Sequence, residues 1–209
     1  MQHTHTYFED LQGDAAGHGS PYISGKGRLR ATPVELRHGA NVVKIAVQLG
    51  PAADAPAEVA YKWDPDTDIL SAQLSSSSQS EGMSGSVGLE GADGSWLILD
   101  VAAGRINGVE IAVWPEVQKL GALTPPAEIE DAQVIIPARR SQPNIASMEM
   151  ATRLVAEADQ AQRNFHFRLG KPKLSRTVRI ARDLLLDLDD KSQIAGVWLL
   201  NVPPSPTDP

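Results

Sequence analysis

Apolar and polar side chains alternate along most of this chain, in short runs that end at Gly, Pro, Asp or Asn. Such alternation is typical of strands with one buried face, whereas the three- and four-residue spacing of helices is scarce. The chain therefore predicts an all-β fold with little helix. The predicted strands are 28–36, 41–49, 58–63, 68–74, 95–101, 106–114 and 133–136.

One segment, 147–159, fits two structures. Met148, Met150 and Leu154 alternate with polar residues, which favours a strand, but the Ala, Glu, Met and Arg content favours a helix. A helix that begins near Asn144 and a strand near 154–158 both remain open at this point.

The chain also contains two blocks that recur in the same order. Residues 63–74 align without gaps with 158–169, which pairs Asp64 with Asp159. Residues 97–115 align with 184–203 with one gap, which pairs Asp100 with Asp187. Two blocks in one order predict an internal duplication, in which the first copy carries the inserted loop "SSSSQSEGMSG".

Each copy is predicted to form a small antiparallel meander, too small to bury both faces of its sheet alone. We therefore expect the two meanders to pack against each other as a sandwich-like unit. The predicted organisation is a flexible N-terminal tail (1–27), an N-terminal β-hairpin (28–57), the first meander (58–117), a Pro-rich connector (118–146), the second meander (147–203) and a disordered tail (204–209).

Composition narrows the classes of function. The chain has no cysteine, which excludes disulfides and thiolate chemistry, and no apolar run long enough to span a membrane. We expect a cytoplasmic location. The net charge of −7 disfavours a nucleic-acid-binding role, yet residues 139–182 hold ten Arg or Lys against three acids.

The basic residues of this island are the candidate partner-binding site, because Arg is enriched at protein interfaces and the remainder of the chain is acidic. Nucleic-acid recognition would need interleaved aromatic side chains, and only Phe165 and Phe167 are near. We expect the partners to be other protein subunits with acidic surfaces, and a homo-oligomer is also open. The candidates are Arg168, Lys171, Lys173, Arg176, Arg179 and Arg182.

The alternating aspartates of "YKWDPDTDIL" (61–70) look like the start of a calcium loop. Such a loop needs Gly at its sixth position and Glu at its twelfth, and here those positions hold Ile69 and Ser75. The motif instead predicts a hairpin turn that begins at Asp64 and Pro65.

Histidines offer the remaining candidate chemistry. His3 and His5 could chelate a metal, but they lie in a segment without apolar periodicity, which favours a solvated tail. His166 lies between Phe165 and Phe167 in a predicted strand, so its ring should point to the opposite face. We predict no cofactor and no catalytic residue. A pocket that joins His38 or His166 to Asp100 or Asp187 would favour an enzyme instead.

The order "YKWDPDTDILSAQL", then "LILDVAAGRINGVEI", resembles a small family of uncharacterised bacterial domains that read Y-D-x-x-x-D-x-L-Y-I and then G-x-I-V-G-I-E-I. The resemblance covers the first copy, departs from the family at "YKWD", and leaves the first 57 residues unexplained. Some members look like partners of small toxins, which implies a protein-binding role.

The sequence thus predicts a non-catalytic protein-binding or assembly protein, such as an accessory or structural subunit. Two alternatives stay open. One is an antitoxin or immunity-type partner of a small toxin, and the other is a small-ligand- or metal-dependent enzyme.

Overall fold

A computed structural model describes residues 45–75, 84–137, 147–171 and 173–206. All of them belong to one compact unit, Gly39–Pro209. The predicted tail 1–27, most of the predicted hairpin 28–57, most of the inserted loop, and His3, His5 and His38 lie outside the described residues.

The described part of the chain holds fifteen strands and no helix, so the prediction of an all-β fold is confirmed. The strands are β1 (Gln48–Gly50), β2 (Val59–Trp63), β3 (Leu70–Leu74), β4 (Gly85–Gly91), β5 (Trp96–Ala102), β6 (Arg105–Val113), β7 (Val117–Leu120), β8 (Ile129–Asp131), β9 (Gln133–Ile135), β10 (Ser147–Thr152), β11 (Leu154–Asp159), β12 (Phe165–Leu169), β13 (Leu174–Ala181), β14 (Leu184–Asp189) and β15 (Ile194–Leu199).

The strands form two sheets, each built around five sequential strands. In the first sheet these five lie in the order β2-β3-β6-β5-β4, and in the second they lie in the order β11-β12-β15-β14-β13. The fifth strand of each set therefore pairs with the second and the fourth, an order that departs from that of a sequential meander. The two sets share this order, and the duplication that would explain it stays a prediction.

Shorter strands extend both sheets. In the first sheet β10 pairs in parallel with β4, and β9 and β1 continue beyond β6. In the second sheet β7 pairs in parallel with β11 at one edge, and β8 pairs in parallel with β13 at the other. Residues 121–128, here called the strap, therefore connect opposite edges of the second sheet.

Both sheets contribute to one hydrophobic core, as expected for a sandwich-like fold. Leu99 and Val109 of the first sheet and Phe167 and Val197 of the second are fully buried in it. The Trp114 ring, which follows β6, lies 5.8 Å from the Phe167 ring, centroid to centroid. Alternation in the strands reflects this arrangement, because one face of each sheet meets the other sheet.

The aspartate motif forms the turn between β2 and β3, as predicted. The Asp64 side chain accepts a hydrogen bond from the backbone N–H of Asp66 at 3.0 Å, and the Asp68 N–H bonds the Asp64 carbonyl at 2.9 Å. The Asp66 N–H and the Thr67 hydroxyl hold the pKa of the Asp64 carboxyl below its usual value, because both stabilise its charged form.

The segment 147–159 is extended throughout its length. It forms β10 in the first sheet and β11 in the second, with Arg153 at the crossing point. The strand interpretation is therefore right for these residues, and the helical interpretation is wrong for them. Helix propensity is overridden here because both strands pair with strands of the two sheets.

Candidate functional site

The outer face of the second sheet carries a buried polar cluster. On β12 the alternation of side chains sends Phe165 and Phe167 into the core and His166 to the outer face, as the sequence predicted. There the His166 Nε2 atom lies 2.8 Å from the Asp187 Oδ2 atom. The His166 and Asp187 side chains are 10% and 5% exposed, so both are largely removed from water.

Asp187 is the acceptor at the centre of this cluster. Its Oδ1 atom accepts a hydrogen bond from the Thr177 hydroxyl at 2.7 Å, and the Trp198 indole N–H lies 3.1 Å from Oδ2. An Asp near the end of a strand commonly bonds the backbone of the turn that follows. The structure shows cross-strand bonds instead, because strands β12, β13 and β15 all bring donors to this carboxylate.

The Trp198 ring also stacks on the His166 ring, with centroids 3.9 Å apart and planes 8° apart. On the same outer face, Trp198 packs with Leu185 and with Leu123 of the strap. The strap therefore covers part of the cluster and helps to exclude water from it.

A glycine makes the contact between His166 and Asp187 sterically possible. A Cβ atom added at Gly196 would lie 2.9 Å from the Phe167 carbonyl oxygen, 3.0 Å from His166 Nε2 and 3.1 Å from Asp187 Oδ2. Gly108 has the same relation to Gln73 in the first sheet, where the Gln73 amide lies 3.4 Å from Asp100. The two sheets differ at this point: Gly108 pairs with Gln73, whereas Gly196 pairs with Arg168, and His166, two residues earlier on β12, provides the contact to Asp187.

The cluster extends from His166 towards solvent through a second carboxylate. The His166 Nδ1 atom lies 3.4 Å from Glu157 Oε2, and Arg168 Nη2 lies 2.8 Å from Glu157 Oε1. Both ring nitrogens of His166 therefore face carboxylates, and the guanidinium of Arg168 faces one as well.

This geometry does not match a hydroxyl–imidazole–carboxylate triad. In such a triad the hydroxyl bonds the imidazole, which then takes its proton. Here the Thr177 hydroxyl bonds Asp187, and the two nitrogens of His166 face Asp187 and Glu157. Over the described ranges, no group of three or more His, Asp or Glu side chains is arranged to hold a metal ion.

The six basic candidates divide into two groups. In the first group, Arg176, Arg179 and Arg182 each approach a carboxylate of the chain itself. The distances are 3.6 Å from Arg176 to Glu130, 3.5 Å from Arg179 to Asp131 and 2.6 Å from Arg182 to Glu58. Two of these acids lie on β8, whose parallel pairing with β13 could not be read from the sequence.

The second group comprises Arg168, Lys171 and Lys173, at the end of β12 and in the loop after it. Arg168 is paired with Glu157, whereas Lys171 and Lys173 are exposed and have no ion pair with any described residue. Arg153 joins this group, because its carbonyl accepts a hydrogen bond from the Gly170 N–H at 2.7 Å. It is also exposed and forms no ion pair within the described ranges.

Arg153 is not among the six basic candidates predicted from the sequence, although its position in the repeat could have indicated it. Residues 158–169 align with residues 63–74, which the sequence predicts to be part of a β-hairpin, so a hairpin is expected here too. Arg153 precedes the first strand of this hairpin, and Lys171 follows the second. Antiparallel pairing brings the two ends of a hairpin together. We call Arg153, Lys171 and Lys173 the cation patch.

A cavity of about 470 Å³ opens beside the cation patch. Its rim includes Arg153, Arg168 and Lys171, and its base includes His166 and Asp187. Aliphatic side chains complete the wall: Val155, Leu174 and Ala195. The structure thus brings one predicted pair, His166 and Asp187, together beside a cavity, which is the arrangement expected to favour the enzyme alternative. Asp100 lies in the other sheet.

No helix of the described residues has the length and the apolar character needed to cross a membrane. The chain matches no protein-family model and no curated protein, so the resemblance to the bacterial domain family stays a prediction.

Proposed function

We propose that the protein is a non-catalytic binding protein that holds a protein partner with an acidic surface at the cation patch. One observation carries this proposal. Arg153, Lys171 and Lys173 are exposed cations without an ion pair among the described residues, in a chain whose net charge is −7. Exposed cations on an acidic protein attract and orient an acidic partner.

The other cations of the island support this choice of surface. Arg176, Arg179 and Arg182 already face carboxylates of the chain, and a partner would have to displace those contacts. Binding at the cation patch needs no such exchange. Arg168 is intermediate between these two groups of cations. Its guanidinium is paired with Glu157, but its side chain is 49% exposed.

The cavity beside His166 and Asp187 favours an enzyme, but the orientation of the imidazole within the polar cluster supports a non-catalytic role. Catalysis by His166 would need a ring nitrogen directed at a substrate, and here the two nitrogens face Asp187 and Glu157. The cluster instead fixes the outer face of the second sheet, which gives the cation patch a rigid base.

We also propose that the two five-strand sets arose by duplication, with the binding role in the second. The common strand order supports this, as does the Asp–Gly pair that both sets place opposite each other, Asp100 with Gly108 and Asp187 with Gly196. The cytoplasmic location and the homo-oligomer stay predictions.

The test is affinity purification of the tagged protein from its own cells at low salt, after nuclease treatment, with mass spectrometry of what is recovered. The variant R153E/K171E/K173E is compared with K62E/K119E/K191E, which changes the charge equally at three other exposed lysines. We expect the first variant to lose a stoichiometric partner that the control retains.

Recovery of the same partner with both variants would contradict the proposal, as would recovery of the wild-type protein alone. A small toxin among the partners would favour the antitoxin alternative. A partner removed by the nuclease would indicate nucleic acid.

A further inference from the structure

The cavity beside the cation patch has two kinds of wall. Val155, Leu174 and Ala195 provide aliphatic surface, while Arg153 and Lys171 place positive charge at the rim. Leu174 is 47% exposed, which is unusual for a large apolar side chain on a strand of this fold. A concave site with apolar walls and a few convergent charges is typical of ligand pockets.

The charges fix where an anion can sit. At the base, Asp187 already accepts hydrogen bonds from His166, Thr177 and Trp198, and a second anion there would meet like charge. At the rim, Arg168 is engaged by Glu157, but Arg153 and Lys171 have no carboxylate partner among the described residues. A ligand therefore places its anion at the rim and an apolar group in the cavity.

We infer that this cavity binds a carboxylate carried on a short aliphatic stem. The inference rests on the proposed function, because it names what the acidic partner inserts beside the cation patch. Such a group is presented by the C-terminal aliphatic residue of a protein chain, and also by a free small aliphatic acid. Capture of a terminal carboxylate is a recurring mode of peptide recognition.

The experiment is an ¹H–¹⁵N NMR titration of the full chain with four probes. N-acetyl-leucine carries the stem and the carboxylate, N-acetyl-leucinamide lacks the charge, acetate lacks the stem, and 4-methylpentanoate is the free acid. We expect N-acetyl-leucine to shift the amide signals of Val155, Gly170 and Ala195 saturably, with a dissociation constant on the order of 1 mM for so small a ligand.

The charge and the stem are both expected to matter. N-acetyl-leucinamide and acetate should each bind at least about 10-fold more weakly, the loss expected for one charged contact or a few buried methylenes. Tighter binding of N-acetyl-leucine than of 4-methylpentanoate would identify a chain terminus as the source, and the reverse would identify a free acid. Equal binding of the leucine and leucinamide probes would overturn the inference.

Variants localise the site. R153Q/K171Q should weaken N-acetyl-leucine binding about 10-fold and leave N-acetyl-leucinamide unchanged, whereas K119Q/K191Q should change neither. L174A should weaken the binding of both leucine probes.

The inference is wrong if N-acetyl-leucine gives no saturable shift, or shifts signals away from the cavity. If the probes fail while R153E/K171E/K173E still loses the acidic partner, the inference fails alone. If that partner is also retained, the proposed function fails with it.

Discussion

The Asp187 carboxylate and the His166 imidazole meet at 2.8 Å on the outer face of a sheet, rather than in the core between the two sheets. They are nevertheless buried, because the Trp198 ring stacks on the imidazole and the strap covers Trp198. The pair thus connects strands β12 and β14 across β15, which lies between them.

Gly196 on β15 is the position that permits this contact. Substitution of Gly196 by Ala would place a methyl group 2.9 Å from the Phe167 carbonyl oxygen, and backbone in a paired strand cannot move away easily. We expect G196A to lower the free energy of unfolding by about 2 kcal/mol in urea denaturation. G121A, whose added methyl has no atom within 4 Å, should change it by less than about 0.5 kcal/mol. Equal effects of the two substitutions would contradict this account.

Asp187 itself should be needed for stability because three donors converge on it. Asp187→Ala leaves the Thr177 hydroxyl and the Trp198 indole buried without an acceptor, and should cost about 3 kcal/mol. Asp187→Asn retains one acceptor oxygen and should cost less. The exposed neighbour Asp190 serves as control, since D190A should stay within about 0.5 kcal/mol of wild type. Chemical denaturation of the three variants measures this, and a D187A protein as stable as D190A would refute it.

Alternation along the chain was enough to predict the central strands, since β5 and β6 fall within one residue of 95–101 and 106–114. The same rule placed His166 opposite Phe165 and Phe167. Strands β7 and β8 and the parallel pairing of β10 were missed, because parallel pairing depends on contacts between distant segments and short runs beside Pro-rich sequence carry little signal. Arg176 and Arg179 face carboxylates of β8, so their ion pairs could not be predicted without that strand.

Asp159 caps the turn between β11 and β12, as Asp64 does between β2 and β3. Its side chain accepts hydrogen bonds from the Arg163 N–H at 2.7 Å and from the Asn164 side chain at 2.9 Å. We expect D159A to lower the free energy of unfolding by about 2 kcal/mol, because two or more bonds to the turn are lost. D64A should cost less, because the Asp66 N–H and the Thr67 hydroxyl that bond Asp64 belong to exposed residues and can bond water instead. Thermal and urea unfolding compare the two, and a larger loss in D64A would contradict the assignment.

Tyr61 connects the two sheets and should make stability depend on pH in the alkaline range. Its hydroxyl lies 3.0 Å from the Asp183 carbonyl and 2.9 Å from the Leu200 carbonyl. Burial of the phenol, with the Asp183 charge nearby, raises its pKa far above the usual 10.0. The folded protein therefore keeps this proton above pH 10 while the unfolded chain loses it.

The stabilisation that Tyr61 provides is thus complete below pH 10 and declines as the pH rises towards the raised pKa of the folded state. We expect Y61F to cost about 1 kcal/mol at pH 8, where the lost hydrogen bond is the main effect. At pH 11 the difference in the free energy of unfolding between wild type and Y61F should shrink by about 1.4 kcal/mol, so that Y61F is as stable as the wild-type protein or more stable. Other titrating groups are common to both proteins and cancel in the difference. Urea denaturation of both proteins at the two pH values is the measurement, and a Y61F cost that stays constant between them would show that Tyr61 ionises as freely in the folded chain as in the unfolded one.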